Sequence, residues 1–128
     1  MDTTFHNHEK LLRAVWPASK RPDFWSKGRL SSAALKSKSG LSVNRTYDMP
    51  LSNAVAVMAH TFGGKIVSVS VPDCESVNAY LVYAPSHKNS YHSEIHGSSS
   101  EIELSDEQAL LLARRAVLQY DPDSEYRV

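Results

Sequence analysis

Between residues 65 and 97 three runs with strand character follow one another through links of a few residues, and this succession limits the folds open to the chain. In KIVSVSV (65–71), Val67, Val69 and Val71 alternate with Ser68 and Ser70, the period of a half-buried strand. AYLVYA (79–84) is apolar at every position, which predicts a strand in the middle of a sheet. YHSEIHG (91–97) comes after the polar turn PSHKNS. Three strands joined by links this short suit an antiparallel meander.

Helix signals flank that region. LSDEQALLLARRAVLQY (104–120) has Ser105 as N-cap and Gln108 three residues on, a capping-box pattern. Leu104 and Ala109 stand at the staple positions, and Asp106 and Glu107 sit where the helix dipole favours acids. Ala109, Leu112, Ala113, Ala116, Val117 and Tyr120 form its apolar stripe. PLSNAVAVMAHTFGG (50–64) predicts a second helix with Ser52 as N-cap and Gly63 or Gly64 at the C′ position. HEKLLRAVW (8–16) spaces Leu11, Leu12 and Val15 like a helix, with a short strand as the alternative, and ends at Pro17. Residues 20–45 read as extended pieces, RLSSAAL and GLSVN, joined by turns at Gly28 and Gly40. The expected fold is α+β: a small antiparallel sheet, a three-strand meander plus N-terminal extended pieces, with about three helices packed on one face.

A chain of 128 residues is one domain's length, and 41% hydrophobic residues suffice for a core without metal or disulfide staples. We expect a single domain over 1–128, with 1–7 and 121–128 as frayed tails. Lys and Arg total 14 against 14 Asp and Glu, which argues against a protein that coats nucleic acid over its whole surface. Cys74 is the only cysteine, so no intramolecular disulfide forms, as suits a reducing cytoplasm. The polar opening MDTTFHNHEK lacks a secretory h-region, and no apolar run is long enough to span a bilayer. The expectation is a cytoplasmic protein without a membrane partner.

The residues with most chemical capacity are His92, Glu94 and His96. On a strand they share one face, about 7 Å apart along the backbone. Two histidines and a carboxylate suit a divalent metal such as zinc, with His60, His87 or Cys74 as a further ligand. Without metal, the same groups form an acid–base set for moving a 2′-hydroxyl onto an RNA phosphate, with Arg29 or Arg45 stabilising the charge. The plainer alternative is a solvent-facing row with Tyr91 and Ile95 packed inside. Cys74, between Asp73 and Glu75, has neighbours that disfavour a thiolate. No P-loop, GxGxxG, CxxC pair, HExxH or GxSxG motif occurs.

A second feature is the basic run: Lys20, Arg21, Lys27, Arg29, Lys36, Lys38 and Arg45 face the single acid Asp23. Phe24 and Trp25 lie within it, and aromatics among cations can stack the bases of single strands. Arg29, Lys36 and Lys38, with the hydroxyls of Ser31 and Ser32, are candidates for binding phosphate.

GRLSSAAL (28–35), GLSVNR (40–45) and YHSEIHG together resemble a family of small uncharacterised bacterial proteins with SSxAF-like, LSVxR-like and HxEI motifs. Leu35 stands where that pattern has an aromatic. The resemblance implies a bacterial, cytoplasmic protein and no known reaction, and adds weight to Ser31, Ser32, Arg45, His92 and Glu94 as a shared site. The order Arg13, Ser31 or Ser32, then Glu94 also resembles an ADP-ribosyltransferase-like nucleotide site.

Two classes of function follow. One is a binding or accessory module that engages a protein or nucleic acid through residues 20–45. The other is a small enzyme acting on a phosphate-containing substrate such as RNA, with His92 and His96 as acid and base, Glu94 assisting and Arg45 or Arg29 on the phosphate.

Overall fold

The computed structural model describes residues 2–123. Eight strands and three α-helices follow in the order β1 (Lys10–Val15), β2 (Trp25–Ser26), β3 (Arg29–Leu30), β4 (Leu41–Arg45), α1 (Leu51–Thr61), β5 (Lys65–Ser70), α2 (Val71–Ser76), β6 (Tyr80–Tyr83), β7 (His92–His96), α3 (Asp106–Arg115) and β8 (Val117–Tyr120). Short 3-10 turns cover Pro22–Phe24 and Ser32–Leu35. Six strands form one antiparallel sheet in the order β6-β7-β4-β1-β5-β8, and β2 pairs with β3 in a separate ribbon. The α+β class and the small antiparallel sheet are as expected.

The strand order is not the expected meander. β6 and β7 form a hairpin, but β5 lies three places from β7, between β1 and β8. The apolar run AYLVYA supplies an edge strand, with Tyr80 half-exposed. The central strand is instead β1, at HEKLLRAVW, where the helix-like spacing gives way to its strand alternative. Leu11 and Leu12 are both fully buried although neighbours on a strand face opposite ways. A strand covered on both faces carries consecutive apolar residues, and over six positions that pattern is indistinguishable from one side of a helix.

Helices therefore cover both faces rather than one. On the first, Leu11, Val43, Val69 and Ile95 pack against Ala109, Leu112 and Ala113 of α3. On the second, Leu12 and Ile66 pack against Ala54, Val55 and Met58 of α1. α3 starts as expected, with both halves of the Ser105–Gln108 capping box formed. It ends at Arg115, so Val117 and Tyr120 leave the helical stripe and pair with β5. α1 begins at Pro50 rather than at a Ser52 cap, and Phe62, not a glycine, closes it. α2 takes Val71 from the expected strand and the first four residues of the expected DCESVN link, capped by a Ser70–Asp73 box. Lys27 and Gly28, both at positive φ, form the two-residue turn joining β2 to β3.

Residues 2–7 lie against the body of the protein: Arg45 donates to the carbonyls of Asp2 and Thr4. Of the tail expected to fray, residues 124–128, like Met1, lie outside the described residues. Among the described residues no helix is long and apolar enough to cross a membrane.

Candidate functional site

A break in the sheet opens a cavity. β1 and β4 pair only at Leu11↔Arg45 and Leu12↔Asn44, whereas β1 stays paired with β5 as far as Val15. Where β1 and β4 part, Arg13 fills the gap. Its Nε donates to the Ala34 carbonyl (3.2 Å) and its Nη1 to the Ser42 carbonyl (3.0 Å). The guanidinium thus serves one carbonyl of the 3-10 turn and one of β4.

Beside it opens a pocket of about 360 Å³, within the range of small-molecule sites. Its walls include Ala14, Met58 and Phe62, and its polar side carries Arg13, Asn44 and His92. Gly64 brings the α1–β5 link against the end of β1: a Cβ there would lie 2.5 Å from the Val15 carbonyl. Trp16 and Phe62 stand at the pocket with 51% and 44% of their surfaces exposed, and the Lys20 ammonium lies over the Trp16 ring, 4.8 Å from its centroid.

Electrostatically the pocket is cationic. Among the described residues Arg13 has no carboxylate within ion-pair distance. Burial lowers its pKa from the ordinary arginine value, and the guanidinium remains charged at neutral pH.

The row on β7 splits into two units. His92 lies opposite Asn44 and diagonal to Ser42. Its Nδ1 is 2.8 Å from the Ala84 carbonyl and its Nε2 is 3.2 Å from Ser42 Oγ. A carbonyl only accepts, so Nδ1 carries a proton, and in the neutral ring Nε2 accepts from the serine hydroxyl. Glu94 and His96 instead engage each other at 2.8 Å, over Gly40. Gly40 has φ +104°, and a Cβ there would lie 2.3 Å from Glu94 Oε1.

Thus His92, Glu94 and His96 share a face, as expected, without converging on one point. Among the described residues no group of three or more His, Cys, Asp or Glu side chains is arranged to hold a metal ion. Cys74 is buried, and burial, with the charges of Asp73 and Glu75, pushes its pKa up to about 12.

Three members of the basic run are engaged within the chain. Arg45, expected at the phosphate, is fully buried and paired with Glu9 at 2.8 Å. Lys36 donates to the Leu104 carbonyl (2.6 Å) and pairs with Asp106 (2.9 Å). Arg21 pairs with Asp23. Ser31 Oγ donates to the Asp23 carbonyl (2.5 Å), and Ser32 opens a 3-10 turn. Arg29 and Lys38 are exposed, and neither lines the pocket. Phe24 and Trp25 pack partly against Val15, Ala34 and Val67. Ser31 and Ser32 do not line the pocket that Arg13 does, so the ADP-ribosyltransferase-like order is not gathered there.

Sequence reasoning missed Ser42, Asn44 and Asn89, whose Nδ2 donates to Asn44 Oδ1 at 2.9 Å. Their one sequence signal is the placing of Ser42 and Asn44 at alternate positions of LSVNR, which puts them on one face of a strand. Comparison with family profiles, curated proteins and solved structures finds no match to this chain.

Proposed function

We propose that the chain binds a phosphate-bearing ligand of nucleotide size, free or at the end of an RNA strand, in the pocket between β1, β4 and α1. The observation that carries this reading is the cationic Arg13, half-buried at the pocket wall without a carboxylate partner among the described residues. A partly desolvated charge of this kind is stabilised by an anionic ligand, and a guanidinium matches phosphate oxygens in geometry. The exposed ring of Phe62 suits a nucleobase, which stacks on aromatic rings irrespective of sequence, and Lys20 over Trp16 adds a second cation nearby. His92 lines the same pocket. Docking through residues 20–45 has less support, because Arg45, Lys36 and Arg21 are engaged by acids of the chain itself.

The test is calorimetric titration of the four ribonucleoside monophosphates into wild type and Arg13→Gln. The reading expects saturable binding to wild type that weakens with salt and falls at least about tenfold in the variant. Absence of binding to wild type, or equal binding by the variant, overturns it.

A further inference from the structure

We infer that Ser42 is a nucleophile, with His92 as its general base, and that the pocket carries out phosphoryl transfer from a phosphate monoester. The inference rests on the reading of the Arg13 pocket as a phosphate site and adds a covalent step to it.

Three observations converge on Ser42. First, its hydroxyl is exposed and lies 3.2 Å from His92 Nε2, within reach of proton transfer. Second, the imidazole is oriented from behind: Nδ1 donates to the Ala84 carbonyl at 2.8 Å, which fixes the tautomer that leaves Nε2 free to accept. The Ala84 carbonyl takes the place a carboxylate has in a serine–histidine–aspartate set, where the third group holds the ring and stabilises the imidazolium. Third, Arg13 Nη1 donates to the carbonyl of Ser42 itself, so the cation is fixed within one residue of the hydroxyl. Both residues line the same pocket. Among the described residues Ser42 is the one serine whose hydroxyl meets an imidazole nitrogen.

The step balances without an added reactant other than water. Ser42 Oγ attacks phosphorus, its proton passes to His92 Nε2, and the P–O bond to the leaving alcohol breaks. The alcohol departs with the proton from Nε2. Water then attacks the phosphoserine, His92 takes a proton from it, inorganic phosphate leaves, and Ser42 recovers its proton. Arg13 faces the charge on the non-bridging oxygens in both halves.

The experiment is labelling with diisopropyl fluorophosphate, which forms a Ser–O–P bond as fluoride leaves, read by mass spectrometry of proteolytic peptides. Native wild type, urea-unfolded wild type, Ser42→Ala, His92→Ala and His92→Gln are compared, each with and without adenosine monophosphate. The inference expects one adduct, on Ser42, in the native protein only. The rate should fall on the order of 100-fold in either folded His92 variant, and adenosine monophosphate should slow labelling of wild type. No native adduct, an adduct elsewhere, or equal rates in native wild type and a folded His92 variant overturns it. Should both His92 variants unfold, protection by adenosine monophosphate and loss of label on unfolding decide the matter alone. Calorimetry on wild type separates the two claims. Nucleotide binding without labelling removes the nucleophile and leaves the pocket reading. Labelling of Ser42 without nucleotide binding removes the phosphate substrate, and the inference with it.

Discussion

Among the described residues Arg45 and Arg13 are the two arginines drawn away from the surface, and their surroundings give them opposite roles. Arg45 donates from Nε and Nη2 to the two oxygens of Glu9, each at 2.8 Å, and to the carbonyls of Asp2 and Thr4. The rings of Phe5, Tyr47 and Tyr83 face its guanidinium at 4.4–5.3 Å. With every charge answered, this group holds the N-terminal residues onto the sheet and has nothing left for a ligand. Arg45→Met leaves Glu9 buried and uncompensated, and we expect a loss of about 3–5 kcal/mol by urea denaturation. Pairing it with Glu9→Gln should restore part of that loss. Glu9 also gives the protein an acid limit. Burial raises its pKa, but hydrogen bonds from Arg45 and the His6 N–H, with the Arg45 charge, outweigh burial and hold it below the usual glutamate value of 4.5. The folded state then binds fewer protons than the unfolded one. The contribution is complete above about pH 4.5 and disappears as pH falls through the lower folded value. Urea midpoints measured from about pH 6 down to pH 3 should drop more steeply for wild type than for Glu9→Gln.

At the scale of elements, α3 is the part most fully written in its local sequence. Its cap, staple residues and first-turn acids all take their expected places, because each acts within one turn of chain. Gln108 does more than cap: its Nε2 donates to the carbonyls of Val77 and Gly97, both at 2.9 Å, joining the helix to the ends of α2 and β7. Ser105→Ala should cost about 1 kcal/mol, and Gln108→Ala about 2–3 kcal/mol from three hydrogen bonds at about 1 kcal/mol each. Equal costs in chemical denaturation would mean that the two distant bonds contribute nothing. The far end of α3 is a different case. No glycine or proline follows Arg115, yet the helix stops at Ala116 with extended backbone (ψ 140°). Val117–Tyr120 then closes the open edge of β5, where a β-branched and an aromatic residue suit the pleat. Local propensity could not reveal this, since the partner strand lies some fifty residues away.

For the whole molecule, the decisive feature is that β1, not a strand of the 65–97 region, holds the centre of the sheet. Its pairing with β5 outlasts its pairing with β4, and the pocket occupies the difference. The cavity is thus a property of the sheet's divergence, roofed by the end of α1. Thr61 is an exposed residue of α1 that lines it. Thr61→Trp should fill the cavity, lower nucleotide binding at least about tenfold and leave stability within about 0.5 kcal/mol of wild type, as expected for a surface change. Binding by calorimetry and urea midpoint on the same preparation check both halves of that statement.

The amino-acid sequence by itself determined the α+β class, the capped start of α3, the one-faced row His92–Glu94–His96 and the presence of a strand at KIVSVS, although that strand is buried on both faces rather than half-buried. All of these depend on periodicity or on contacts within a turn. Only the tertiary structure decided the strand order, the covering of both faces and the separation of the row into His92–Ser42 and Glu94–His96. It also turned Arg45 inward to Glu9 and left Arg13 at the pocket. The reason is physical: a side chain's charge and type are local, whereas its partner is chosen by which strands lie next to each other.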